Sequence, residues 1–231
     1  MIGILVQLAL SWLIVWLFER NNLRVLGLAP TRGRMRDFGL FFLVTGFCCL
    51  LDFLMKMGVL HQRWVLNPKL APSLIIEGLW WNLKSVLFEE LIFRGVLLYI
   101  LVKKLGTTRA IIISSIAFGI YHWFSQEAWG NPVQMAIIFV LTGTMGLIYA
   151  YGYTKTFSLY VPCAIHLGWN LVRSVGFSET VIGGQLFVPV TPPAEVTVSY
   201  FVYFVLLLLP IVSAIGINFL LLKRKRQAVV M

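Results

Sequence analysis

Seven apolar runs, each roughly 17 to 25 residues long and so able to cross about 30 Å of hydrocarbon as a helix, constrain this chain more than any other feature. They are Met1–Phe18, Phe38–Met55, a run within Leu74–Val102, Arg109–Phe124, Pro132–Tyr151, Phe157–Phe177 and Val196–Leu222. Lipid offers backbone N–H and C=O groups no partner, so each run must bond internally as a helix. An all-α fold is expected: a polytopic membrane helical bundle of about seven transmembrane helices. Composition agrees, since 59% of the residues are hydrophobic and 12% charged, against about 45–50% and about 25% for soluble domains. A soluble enzyme, a secreted disulfide scaffold and a disordered chain are excluded on that ground. No internal repeat or long linker interrupts the runs, which predicts a single membrane domain over residues 1–231.

The net charge of +10 reads as topology and not as a nucleic-acid footprint. With the N-terminus outside and the C-terminus cytoplasmic, Arg20, Arg24, Arg32, Arg34, Arg36, Lys103, Lys104, Arg109, Lys155 and the Lys223–Arg226 cluster all face inward, as the positive-inside rule requires. Only Lys56, Arg63 and Lys69 face outward. The first run has no basic residues before it, so it is expected to be an N-out helix and not a cleaved signal peptide. Cys48, Cys49 and Cys163 lie inside apolar runs without C-x-x-C spacing and are read as small buried hydrophobes.

Ionisable residues inside the membrane cost at least ~2.5 kcal/mol each and point to function by default. The third run holds Glu89, Glu90 and Arg94 in FEELIFRG, the fourth ends on His122 in FGIYHWF, and the sixth holds His166 and Asn170 in HLGWN. Asp52 and Glu77 lie near the predicted outer ends, within reach of the interface. Residues four apart share a helix face. Glu90 can therefore neutralise Arg94, which leaves Glu89 on a neighbouring face. Phe118 pairs with His122, and His166 with Asn170, in the same way. Counted from the cytoplasmic ends, Glu89 lies ~21 Å deep, His122 ~20 Å and His166 ~17 Å, depths that predict one shared cavity. Each cluster taken alone also reads as structure, either a buried ion pair or a hydrogen bond between helices.

The set E-E-x-x-x-R, F-x-x-x-H and H-x-x-x-N, in that order on successive motif-bearing helices, resembles the CPBP family of intramembrane endopeptidases. That family includes the eukaryotic CAAX prenyl protease and the bacterial abortive-infection proteins. Glu89, Glu90 and Arg94 match the first motif, Phe118 and His122 the second, His166 and Asn170 the third. The likeness covers residues 88–171, a motif-bearing catalytic core, and extends through the glycine-rich helix containing Gly143 and Gly146.

The resemblance implies that Glu89, helped by His122, deprotonates a water, as a carboxylate in a low-dielectric cavity is suited to do. His166 and Asn170 would stabilise the oxyanion, while Glu90, Arg94 and Phe118 would support them. Pro162, four residues before His166, is expected to kink the sixth helix and open room for substrate or water. A catalytic zinc held by the histidines and Glu89 is the rival mechanism. The metal-free route is expected, because no H-E-x-x-H pair is present. The expected partners are the lipid bilayer and a membrane protein or lipidated peptide substrate. The compact size and the Arg-rich first inner loop point to a prokaryotic plasma membrane. The alternative from another class is a non-catalytic bacteriocin-immunity or membrane scaffold protein of the same fold.

Overall fold

The computed structural model describes residues 2–177, 186–190 and 196–228. The described residues are helical apart from connecting segments and one short two-stranded antiparallel sheet. The helices are α1 (Ile2–Glu19), α2 (Arg32–Val59), α3 (Pro72–Phe93), α4 (Val96–Leu105), α5 (Thr107–Ser125), α6 (Pro132–Thr156), α7 (Tyr160–Leu171) and α8 (Tyr200–Arg224). Strands β1 (Trp64–Leu66) and β2 (Phe187–Pro189) pair antiparallel, with Val65 opposite Val188. Among the described residues, α1, α2, α6 and α8 are long and apolar enough to cross a membrane. The chain is an integral membrane protein. The helices that carry the three motifs, α3, α5 and α7, fall outside that set because they are shorter or interrupted by polar groups.

Two expectations for the motif helices need correction. The third run is not one helix: α3 ends at Phe93 and α4 begins at Val96. The break falls at Gly95, where an added Cβ would lie 2.1 Å from the Leu91 carbonyl oxygen, so no larger residue fits. The Phe93 carbonyl beside the break accepts a hydrogen bond from Ser114 Oγ at 2.8 Å. A depth for Glu89 counted along one straight helix from Lys103 therefore does not hold. Pro162, in turn, lies in the first turn of α7. Backbone N–H groups there have no intrahelical acceptor to lose, so the proline costs no hydrogen bond and does not kink the helix. The irregularity in this segment comes later, as a π-helical turn over Val172–Gly176.

The residues gather into two compact units. The first comprises Met1–Phe38, Leu87–Cys163 and Phe219–Met231, and the second Gly39–Val86 and Ala164–Asn218. In the first unit α5 and α6 pack antiparallel at small residues. Gly119 lies against the Phe139 ring, and Gly146 against Ser115 and Phe118, a close approach that apolar surroundings alone would not drive. Asn131 caps α6, its side chain accepting from the Gln134 N–H at 3.2 Å, with Pro132 in the first turn. Helix ends that the charge pattern assigned to one side of the membrane meet in this unit. Lys103 pairs with Glu19, Lys225 with Asp37 at 2.7 Å, and the Ala228 N–H donates to the Lys155 carbonyl at 3.1 Å.

In the second unit α7 crosses α2 so closely that a Cβ on Gly168 would sit 2.4 Å from the Phe42 carbonyl oxygen. Asn218 of α8 donates to Thr45 Oγ1 at 2.9 Å in a buried contact. Phe53, Trp64, Phe177 and Phe187 cluster around the two-stranded sheet in stacked and edge-on contacts, with ring centroids 4.6–5.4 Å apart. Asp52, expected to reach the interface, is buried and answers both Lys56 at 3.3 Å and Arg173 at 3.7 Å. All three cysteines are free and buried.

Candidate active site

Glu89, Glu90, Arg94, Phe118 and His122 belong to the first unit, His166 and Asn170 to the second. In the first unit the i,i+4 pair forms as its spacing predicts. Arg94 Nη1 lies 3.2 Å from Glu90 Oε1, with both side chains fully shielded from solvent. One pair alone would leave a desolvated guanidinium short of partners, and the fold supplies several more. Arg94 Nη2 donates to the Gly146 carbonyl at 3.3 Å. The guanidinium carbon lies 4.0 Å from the centre of the Phe118 ring and 5.1 Å from that of Tyr149, distances at which ring faces attract a cation. Gly146 is needed for this approach, since a Cβ there would meet both Arg94 and Phe118 at 3.2 Å.

Phe118 therefore does more than back the histidine. One side of its ring carries Arg94 and its edge meets the His122 ring, with centroids 4.5 Å apart. Phe93 and Tyr121 close the aromatic surround at 5.2–5.3 Å.

His122 Nδ1 lies 2.8 Å from the Phe118 carbonyl oxygen. A carbonyl only accepts, so Nδ1 carries the proton, and that bond orients the ring. Nε2 is thereby turned toward Glu89, with 3.9 Å between it and Oε2. The gap exceeds a direct hydrogen bond and suits a bridging water. Glu89 itself is 8% exposed, sheltered but not sealed. A carboxylate and an imidazole nitrogen so placed can share the proton of a water held between them.

In the second unit His166 is buried and Asn170 partly exposed, on α7 one turn apart. The hydrogen-bond network at this end of α7 was not anticipated. Ser174 Oγ donates to the Asn170 carbonyl at 2.7 Å, and Asn82 Nδ2 donates to Ser174 Oγ at 2.9 Å and to the Gly78 carbonyl at 2.8 Å. A signal was present, because Ser174 continues the four-residue spacing of His166 and Asn170, and Asn82 precedes Glu89 by seven residues. Tyr149 packs against Arg94 and is 2% exposed.

An apolar cavity of about 410 Å³ lies in the first unit beside this cluster, lined by Ile4, Leu8, Leu87, Leu91, Leu159 and Glu90. Among the described residues no group of three or more His, Cys, Asp or Glu side chains is placed to hold a metal ion.

Residues 71–172 match the family model described as Rce1-like, type II CAAX prenyl endopeptidase Rce1-like. The matched segment contains all seven motif residues and agrees with the family expected from them. No curated protein and no solved structure matches the chain.

Proposed function

We propose that this chain, with its Rce1-like, CAAX-type endopeptidase segment over residues 71–172, is an intramembrane glutamic-type endopeptidase. It hydrolyses a peptide bond in a membrane-associated or lipidated protein. The orientation of His122 carries the reading: its Nδ1–H is spent on the Phe118 carbonyl at 2.8 Å while Nε2 turns to Glu89 across 3.9 Å. That pair is a seat for the attacking water. Glu89 takes one proton as the water oxygen bonds to the scissile carbonyl carbon, with His122 Nε2 holding the water in line. The carbonyl oxygen becomes an oxyanion, to which His166 and Asn170 donate. When the intermediate collapses the C–N bond breaks, and the proton on Glu89 passes to the leaving amine. The products are a carboxylic acid, which gives up its proton to the amine or to solvent, and the amine, with Glu89 returned to its carboxylate.

Glu90 and Arg94 hold the end of α3 that carries Glu89, and Phe118 transmits that order to His122. The apolar cavity beside Glu90 supports a substrate with an attached lipid or hydrophobic segment, since its lining of Ile4, Leu8, Leu87 and Leu91 offers an acyl or isoprenoid chain surroundings as apolar as the lipid it leaves.

Purified protein reconstituted in liposomes and given a prenylated CAAX-type reporter peptide tests the proposal. Wild type should release the C-terminal fragment, and Glu89→Gln should lower the rate by about 10²–10⁴-fold. Fragment release at equal rates from both would refute it. Treatment with 1,10-phenanthroline should leave the wild-type rate unchanged; a loss restored by added zinc would contradict the metal-free route.

A further inference from the structure

The hydrogen bonds at the end of α7 assign a role to two residues outside the three motifs. We propose that Ser174 and Asn82 are positioning residues that set the direction of the Asn170 side chain; this rests on the reading of Asn170 as an oxyanion donor.

The sequence forces a choice at this point, because α7 does not continue regularly beyond Leu171. Over Val172–Gly176 the helix widens to a π-turn, and the Phe177 N–H reaches back five residues to the Val172 carbonyl at 2.9 Å. Such insertions are rare, are found frequently at functional sites and bend the helix that carries them. In a widened turn the carbonyl of the preceding turn is free to tilt, and the side chain on the same residue tilts with it. Here that carbonyl belongs to Asn170. Ser174 Oγ holds it at 2.7 Å, and a serine bonding four residues back bends a helix locally.

A serine hydroxyl has one proton, and the Asn170 carbonyl at 2.7 Å is a nearer acceptor for it than Asn82 Oδ1 at 3.1 Å. The oxygen must then accept from elsewhere to be fixed in rotation. Asn82 provides that donor at 2.9 Å, with its second amide hydrogen on the Gly78 carbonyl at 2.8 Å. Asn82 is 2% exposed, so solvent cannot substitute freely for the donor. The chain Gly78–Asn82–Ser174–Asn170 ends on the backbone carbonyl of the residue whose side-chain amide must point at the developing charge. Asn82 stands on α3 two turns before Glu89, on the same face.

An oxyanion donor has to sit about 3 Å from a charge that exists only in the transition state, and removing one costs about 10²–10³ in kcat. A donor displaced but still present should lose less. Ser174→Ala should therefore lower kcat on the prenylated reporter peptide about tenfold with KM within twofold of wild type, and Ser174→Thr, which keeps the hydroxyl, should recover most of the loss. Asn82→Ala should fall in the same range, and the Asn82→Ala/Ser174→Ala double variant should be no slower than the slower single, because both break one chain. Thermal unfolding of each variant separates this from damage to folding.

If Asn170→Ala cuts kcat a hundredfold while Ser174→Ala stays at the wild-type rate, the positioning role is overturned and the oxyanion reading stands. If Asn170→Ala itself leaves kcat unchanged, the oxyanion reading falls and the positioning role falls with it. A Ser174→Ala loss that appears in KM alone, or that Ser174→Thr fails to recover in a folded protein, also overturns the proposal.

Discussion

At the scale of single residues, two carboxylates side by side have opposite assignments because the helix turns by about 100° between them. Glu90 is closed off with Arg94, both side chains at 0% exposure, whereas Glu89 keeps a little exposure and faces His122. Their variants should separate accordingly. Arg94→Met leaves the Glu90 carboxylate buried without its cation and should destabilise the protein by about 3–5 kcal/mol. The double variant Glu90→Gln/Arg94→Met removes both charges and should recover much of that loss. Unfolding midpoints in a fixed detergent would show the difference, and a single variant as stable as wild type would contradict the account. Glu89→Gln keeps shape and size and should leave the midpoint near wild type while activity collapses.

At the scale of elements, the motif helices are irregular where the chemistry is assigned. α3 ends at Phe93, with Arg94 next and the break at Gly95, and α7 widens into a π-turn two residues after Asn170. Both interruptions depend on contacts that a local pattern does not display. The i,i+4 pairs at 90 and 94, 118 and 122, and 166 and 170 were legible because helix periodicity is a property of the chain itself. The break at Gly95 was not, since an apolar run reads through a glycine, and only the Leu91 carbonyl at 2.1 Å from a would-be Cβ makes that residue obligatory. Pro162 misled for the converse reason. Its consequence depends on whether it stands in the first turn or the interior of a helix, and the start of α7 at Tyr160 lay inside an apolar run that began earlier. Gly168→Ala would press a methyl onto the Phe42 carbonyl, where a Cβ has 2.4 Å, and overpacking of this kind costs about 1–3 kcal/mol. A lowered thermal midpoint is expected, and an unchanged one would mean that α2 and α7 separate without penalty.

At the scale of the molecule, hydropathy and charge carried most of the architecture. Five of the apolar runs correspond to α1, α2, α5, α6 and α8 with ends shifted by a few residues, because burial in lipid selects for length and composition alone. The pairings of Asn82 with Ser174 and of Arg94 with the Gly146 carbonyl were not legible, since they join residues 92 and 52 positions apart. The pairing of Glu19 with Lys103 and of Asp37 with Lys225 gathers ends that the charge pattern places in the cytoplasm. A fluorescent protein fused at the C-terminus should therefore light up, and a secreted phosphatase fused there should stay inactive; the reverse would invert the proposed topology.

The central claim is that Glu89 and His166 serve one proteolytic reaction. Its most direct test compares terminal peptides in membranes from cells carrying wild type, Glu89→Ala or His166→Ala at equal protein levels. New termini present only with wild type are predicted, and their sequences would define the substrate. Identical termini from all three, with the mutants still conferring the protein's phenotype, would contradict a protease and leave a binding or immunity protein in its place.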